Sequence, residues 1–237
     1  MTIDTSFTPL SCVRSFILRI WFSCIIAFGL LVVSVAQVQA ATLYWVGNDG
    51  ANASVATNWM TTNPSGCGPG DSLTAPTSAD TIIFDADCDN GATIDTGFTA
   101  TVNTVNVNTG YSGTISQARD LSISNTFTTS GGTWNVGNHA FAVTGGFSMN
   151  TGSVFVSSSS TANFANSFNV FGGTFTHNSG TLNFSGSGGA INCNGIGLNL
   201  VTFVGQTGTK AVSANCNLPL GTNPTIPQAI NLTGTLS

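Results

Sequence analysis

Four triplets of one kind, a glycine followed by Thr or Ser and then an apolar residue, punctuate the chain: Gly113-Thr114-Ile115, Gly132-Thr133-Trp134, Gly152-Ser153-Val154 and Gly173-Thr174-Phe175. The glycines that open them recur at nearly equal steps along the chain. A near-constant period of about 20 residues is typical of a solenoid, in which each repeat is one structural unit stacked on its neighbour. The sequence therefore predicts a repeat fold.

Three further sets of apolar residues recur with the same period. They are Leu121, Phe141, Ala162 and Leu182, then Ile123, Val143, Phe164 and Phe184, and finally Phe127, Phe147 and Phe168. One small or polar residue separates the first set from the second, and this alternation with period two indicates β-strands. Since no segment has a sustained helical period, we expect an all-β fold, a parallel β-helix (β-solenoid) with coils of about 20 residues.

Equivalent residues of successive coils should lie about 4.8 Å apart along the axis of such a fold. We expect an interior stack of Ile115, Trp134, Val154 and Phe175, and a second stack of Phe127, Phe147 and Phe168. The pattern extends back to Ile94, which lies one such period before Ile115, and a further coil begins at 232–236. The chain ends inside that last repeat, so residues 92–237 are expected to form coils that are truncated at the C-terminus.

Residues 1–40 differ from the rest of the chain. Two arginines, Arg14 and Arg19, precede an apolar run over 20–35, and Val38-Gln39-Ala40 follows it. This order describes a secretory signal peptide that is cleaved after the last of these residues. The alternative is a signal anchor, although the run is short for a membrane span. We expect a secreted or cell-surface protein that meets the membrane only through an uncleaved signal segment.

Charged residues are scarce beyond position 40. Two basic residues, Arg119 and Lys210, stand against eight aspartates, which leaves a net charge of about −6. Phosphate binding needs clustered Lys and Arg, so nucleic acid is not expected as a partner. High Gly, Ser and Thr content could indicate disorder, but the regular apolar ladders argue for a folded core.

Four cysteines remain beyond position 40, namely Cys67, Cys88, Cys193 and Cys216. An even number in an exported chain favours disulfides. Proximity in sequence favours Cys67 with Cys88 and Cys193 with Cys216, out of three possible pairings. The members of the second pair are separated by close to one coil, which is a spacing that a disulfide can span. A tetrahedral zinc site is the alternative, without a C-x-x-C pair to support it.

Residues 41–91 contain a different series of motifs. In order, these are Tyr44-Trp45-Val46-Gly47-Asn48, Asn58-Trp59, a Pro- and Gly-rich stretch, and Asp80-Thr81-Ile82-Ile83-Phe84-Asp85. We expect an N-terminal cap in which Trp45 and Trp59 cover the end of the core, because the unpaired edge of a first coil would otherwise promote aggregation. A small independent binding domain is the alternative.

This order of motifs, followed by Gly-Thr-apolar coils, resembles bacterial exported β-helical surface proteins of the autotransporter-passenger or adhesin type. The resemblance covers most of residues 43–189. It implies a right-handed parallel β-helix on a cell surface, with no catalytic residues to transfer.

One acidic cluster could bind calcium. Asp85, Asp87, Asp89 and Asn90 offer oxygen ligands, but the cluster departs from the EF-hand loop because its glycine comes one place late and position twelve is Thr96. A solvated turn of Asp, Asn and Gly residues is the other interpretation. No other cofactor is expected.

The histidines are the remaining candidates for chemistry. Asp120 precedes His139 by the length of one coil, so the two could form a pair. His177 aligns with Gln117, Val136 and Val156 of preceding coils, which indicates a structural corner. No G-x-S-x-G motif accompanies the many serines.

The functional expectation is a non-catalytic stalk or adhesive module with no catalytic residue. Its outward Thr, Ser and Asn side chains would bind surface glycans or other surface proteins. The alternative is a polysaccharide-active lyase or hydrolase. A lyase needs a positioned base, and the two basic residues are several coils apart in sequence; a hydrolase needs paired carboxylates, and Asp120 is the only acid after Asp95.

Overall fold

The computed structural model describes residues 39–205, 209–213, 216 and 230–233. These residues confirm the predicted fold class: the chain winds into a parallel β-solenoid of about six turns, with coils of about 21 residues. The predicted signal peptide lies outside the described residues, except for its last two positions. Within the described part, which includes a 3₁₀ turn at Ala56–Asn58, no helix is long and apolar enough to cross a membrane.

Three sheets run along the axis, and successive coils add strands to them. Sheet 1 contains, in order, β3 (Trp59–Met60), β1 (Thr42–Trp45), β4 (Thr81–Phe84), β7 (Thr104–Val107), β10 (Phe127–Thr129), β13 (Phe147–Met149), β16 (Phe168–Val170), β19 (Ala190–Asn192), β21 (Lys210–Ser213) and β22 (Ile230–Thr233). Sheet 2 contains β2 (Ala51–Asn52), β5 (Ala92–Ile94), β8 (Thr114–Gln117), β11 (Thr133–Asn135), β14 (Val154–Val156) and β17 (Thr174–Thr176). Sheet 3 contains β6 (Thr101–Val102), β9 (Leu121–Ile123), β12 (Phe141–Val143), β15 (Thr161–Phe164), β18 (Thr181–Phe184) and β20 (Val201–Thr202).

The aromatic ladder on sheet 1 has the predicted register. Phe127 pairs with Phe147, and Phe147 pairs with Phe168, each in parallel strands. Their rings are buried and nearly parallel, with centroids 5.3 and 5.0 Å apart. Such ring pairs contribute about 0.5–1.5 kcal/mol each beyond the burial of apolar area. The two sheet 3 ladders are confirmed as well, through β9, β12, β15 and β18.

The predicted ladder on sheet 2 was wrong at one position. Trp134 pairs with Phe155, not with Val154, and Phe155 pairs with Phe175. The corner between β13 and β14 is one residue longer than the corner between β10 and β11. The extra residue, Ser153, is buried, and its hydroxyl donates to the carbonyl of Asn150 at 2.7 Å. This insertion turns Val154 outward.

A longer corner also shifts the register between β5 and β8 away from the register that the sequence pattern predicts. Ala92, not Ile94, pairs with Ile115, while Ile94 pairs with Gln117. The step from Ala92 to Ile115 is therefore longer than the step that the sequence pattern predicts. At the other end of the chain, residues 230–233 pair with β21 as a further strand, and residues 234–236 lie outside the described part.

The segment 41–91 is part of the stack. Its strands β1 and β4 lie in sheet 1, β2 lies in sheet 2, and β3 pairs antiparallel with β1 at the end of sheet 1. Trp45 and Trp59 are fully buried against each other and against Phe84. Their indole N–H groups donate to the carbonyls of Asn90 and Ala53 at 3.0 and 2.8 Å. Both tryptophans therefore complete the core without leaving an indole N–H unpaired.

Two disulfides reinforce the stack. The structure joins Cys67 to Cys88 and Cys193 to Cys216, the pairing that sequence proximity favours, with both S–S distances at 2.06 Å. The Cα atoms are 4.7 and 5.0 Å apart, close to the spacing of neighbouring strands. The second disulfide therefore links two successive coils directly.

Candidate functional site

In sheet 2, the central strands carry outward side chains on both sides of a buried residue. In β11 and β14 the middle residue is buried and both flanking residues are partly exposed. In β10, β13 and β16 of sheet 1, and in β9 and β12 of sheet 3, the flanking residues are buried and the middle residue faces outward. Sheet 2 therefore presents two outward columns of side chains, as β15 and β18 of sheet 3 also do with Thr161 and Thr181 beside Asn163 and Asn183.

These two columns, which we call the Thr face, carry no charged side chain. One column contains Thr114, Thr133, Val154 and Thr174; the other contains Asn52, Thr93, Ser116, Asn135, Val156 and Thr176. Neighbours within a column are about 4.8 Å apart, and the columns are about 6.6 Å apart. Seven of these ten side chains, five Thr and two Val, are β-branched and have few χ1 rotamers, so most of the Thr face is a rigid array of hydroxyl and methyl groups.

In sheet 3, the outward side chains of the column that contains Asn163 and Asn183 bond to one another. The Asn183 side-chain amide donates to Asn163 Oδ1 at 2.9 Å, and Asn183 Oδ1 accepts from the Thr202 hydroxyl at 3.1 Å. The Ser185 hydroxyl also donates to Asn163 Oδ1. Because these side chains bond to one another, this column stabilises the stack.

Asp120 and His139, whose spacing allows them to pair, lie close together but too far apart for a hydrogen bond between their side chains. His139 Nδ1 lies 3.8 Å from Asp120 Oδ1, and the same oxygen accepts the Ala140 N–H at 2.8 Å. The nearby Ser158 hydroxyl donates to the His139 backbone carbonyl. Since a nucleophilic serine must give its proton to the imidazole, this arrangement is not a catalytic triad.

Both basic side chains are bonded to backbone carbonyls. Arg119 donates to the carbonyls of Thr96, Phe98 and Asp120. Lys210 is 2% exposed, and its Nζ donates to the carbonyls of Ala165 and Asn166 at 3.0 and 2.7 Å. Burial lowers the pKa of Lys210 to about 8. Burial therefore keeps Lys210 Nζ away from a substrate in solution, and three backbone carbonyls hold the partly exposed Arg119 side chain.

The acidic cluster forms a turn at the edge of the cap segment. Asp89 accepts the Ser112 N–H at 2.8 Å, and the Asn90 side-chain amide donates to the Gly47 carbonyl at 3.0 Å. Asp85 is buried, and this burial raises the pKa of its carboxyl group. In the described residues no group of three His, Cys, Asp or Glu side chains is placed to hold a metal ion.

The sequence allows two interpretations of this cluster, a calcium site and a solvated turn, and melting measurements distinguish them. We expect millimolar Ca²⁺ to leave the melting temperature unchanged, because Asp89 and Asn90 already bond to the backbone. A ligand that binds the native state raises its stability in proportion to the logarithm of ligand concentration. A rise in melting temperature that EDTA reverses would instead establish a calcium site.

His177 lies at a corner, and the sequence pattern aligns it with a residue one position away from its true equivalent. By strand register its equivalent in the preceding coil is Ser157, not Val156. His177 Nε2 accepts the Asn199 N–H at 2.8 Å, and Phe175 packs against its ring at a centroid distance of 5.3 Å. Two buried atoms here, His177 Nδ1 and Ser157 Oγ, have no hydrogen-bond partner in the described part of the chain. Burial lowers the pKa of His177.

No protein family, no curated protein and no solved structure matches the chain. Function must therefore be argued from the surfaces and side chains described above.

Proposed function

We propose that this chain is a non-catalytic, exported β-solenoid that serves as a stalk or adhesive module on a cell surface. The observation that carries the proposal is the Thr face, a two-column, uncharged and rigid array on one side of the solenoid. Its partners would be uncharged surfaces, such as surface glycans or other surface proteins. This inference agrees with the resemblance of the sequence to exported β-helical surface proteins.

The chemistry of the Thr face indicates how such a partner would be held. Threonine offers a hydroxyl for hydrogen bonds and a methyl group for apolar contact, both in a fixed geometry. Preorganised side chains lose little conformational entropy on binding. Because the face has no charge, its binding should change little between low and physiological salt.

A substitution in the centre of the Thr face tests the proposal. We expect Thr133→Arg to weaken binding to an array of immobilised neutral glycans by roughly tenfold or more, as a buried charge at an interface centre should. The matched control is Thr128→Arg, which places the same charge on the outward column of sheet 1. Equal binding by both variants would remove the Thr face from the proposal.

A polysaccharide-active enzyme is the second candidate, and the Asp120–His139 pair is the observation that favours it. We expect no glycan cleavage by the purified chain, and we expect Asp120→Ala and His139→Ala to bind glycans as the parent does. Removing a catalytic group commonly lowers the rate by orders of magnitude. Turnover that either substitution abolishes would establish the enzyme.

A further inference from the structure

Sheet 2 ends one coil earlier than its neighbours within the described residues. Its last strand, β17, pairs with β14 alone, whereas sheets 1 and 3 continue through β19 and β20. The chain between those two strands, residues 193–200, passes over β17 without adding a strand to sheet 2. Asn194 and Gly195 in this segment have positive φ values of 48° and 80°. Glycine and left-handed backbone both oppose strand formation, so the segment contains one isolated bridge residue, Gly197, and no strand.

Hydrogen bonds attach this covering segment to the coil below it. At one end the Asn194 side-chain amide donates to the Phe171 carbonyl at 3.2 Å. At the other end the Asn199 N–H donates to His177 Nε2 at 2.8 Å. The second bond requires a neutral imidazole, because Nε2 can accept a hydrogen bond only while it carries no proton. The neutral ring then carries its proton on Nδ1.

The described surroundings of His177 contain no negatively charged side chain that could stabilise a protonated ring. Its Nδ1 and the adjacent hydroxyl of Ser157, which is 1% exposed, have no hydrogen-bond partner there. No ionisable side chain occurs in β14, in β17 or in residues 194–200. In the column of corners below His177, the nearest ionisable groups are His139, two coils away, and Arg119 and Asp120, three coils away.

We propose that His177 is an acid-sensitive latch that holds residues 194–199 over the terminal strand of sheet 2. Protonation places an N–H on Nε2 that faces the N–H of Asn199, so the bond between them breaks. The covering segment then loses its hydrogen bond at the Asn199 end, where the buried side chain of Leu198 is its remaining attachment to the core. Opening at this end becomes easier, and opening that also lifts Leu198 exposes the edge of β17, which can pair with another chain.

The sign of the pH dependence follows from the lowered pKa of His177. The unfolded chain binds a proton near pH 6.5, but the folded corner resists it. The contribution of the neutral histidine to stability is therefore complete above about pH 6.5 and is lost as the pH falls through the folded-state pKa.

Amide hydrogen exchange of the purified protein between pH 7.5 and 5 tests the latch. After correction for intrinsic exchange, we expect the protection of the Asn199 amide to fall roughly tenfold, the equivalent of one lost hydrogen bond. The variant His177→Gln should keep protection constant over this range, because a glutamine oxygen accepts the same bond without titrating. The control His139→Gln should behave as the parent does. Loss of protection at low pH in His177→Gln would overturn the proposal.

A measurement on the parent protein keeps the test decisive if His177→Gln fails to fold. Nitrogen chemical shifts of the imidazole report its tautomer and its titration. We expect a neutral ring protonated on Nδ1, with a pKa below the ordinary histidine value of 6.5. A ring protonated on Nε2, or a pKa above that value, would contradict the latch.

Discussion

Replacing Phe164 by Asp should remove most of the stability of the folded chain. The Phe164 ring is fully buried and lies within 4.9 to 6.2 Å, between ring centroids, of the rings of Phe141, Phe147, Phe168 and Phe184. Losing a core Phe side chain alone costs about 3–5 kcal/mol. Asp also buries a carboxylate without a partner, which adds several kcal/mol unless it binds a proton. Native domains are stable by only about 5–15 kcal/mol, so we expect a largely unfolded chain at physiological temperature.

Asn163 provides the matched control on the same strand. Asn163→Asp introduces the same charge one residue away, on the outward side of sheet 3. Its oxygen can still accept the bonds that Asn163 Oδ1 accepts from Asn183 and Ser185. Thermal unfolding followed by circular dichroism should show a near-parental transition for this variant. A parental transition for Phe164→Asp would show that Phe164 does not lie in a packed core.

Gly173→Ala should be the second most damaging change, although it adds only a methyl group. Gly173 has a φ of 82°, and a left-handed backbone costs an alanine about 1–2 kcal/mol. A Cβ at this position would also lie 2.8 Å from the Asn150 carbonyl oxygen and closer still to that of Ser153. Both oxygens belong to the backbone of the coil below, so the coils must separate. A loss of about 2–3 kcal/mol should lower the melting temperature by roughly 4–12 °C.

Gly188 separates the two causes of this loss. It also has a positive φ, 68°, but no atom lies within 4 Å of an added Cβ. Gly188→Ala should therefore lower the melting temperature only by the amount that the backbone conformation requires. If both variants melted at the same temperature, close packing of the corners at Gly173 would be unimportant.

The repeat period and the strand alternation could be derived from sequence because buried aromatic residues mark each coil. The Phe127, Phe147 and Phe168 ladder was correct since the strands that carry it begin at the same point of each coil. The sequence pattern misplaces Val154 because the number of residues between each glycine and its buried neighbour is not constant. A glycine fixes a turn but not the number of residues that follow it, and Ser153 adds one.

Contacts at the corners of the coils were predictable only where they follow the repeat period. The proximity of Asp120 and His139 was predictable, because the two residues are one coil apart in sequence. The bond between His177 and Asn199 was not, because it involves a backbone N–H in an irregular segment. The two outward columns of sheet 2 depend on which residue of each strand points inward. They were not predicted, because the sequence pattern places Val154 in the interior.

Lys210 forms hydrogen bonds between two coils that are not neighbours in the stack. Its strand, β21, pairs with β19, yet its ammonium group bonds to the carbonyls of Ala165 and Asn166, which belong to the coil before that of β19. The side chain therefore spans the intervening coil, where Gly186 and Gly189 approach the same two carbonyls without a side chain of their own. In most solenoids each repeat is coupled only to its nearest neighbours, so terminal repeats can unravel one at a time. We expect a charged bond that skips a coil to couple the coils of β16, β19 and β21, so that they open more cooperatively than contacts between nearest neighbours alone would allow.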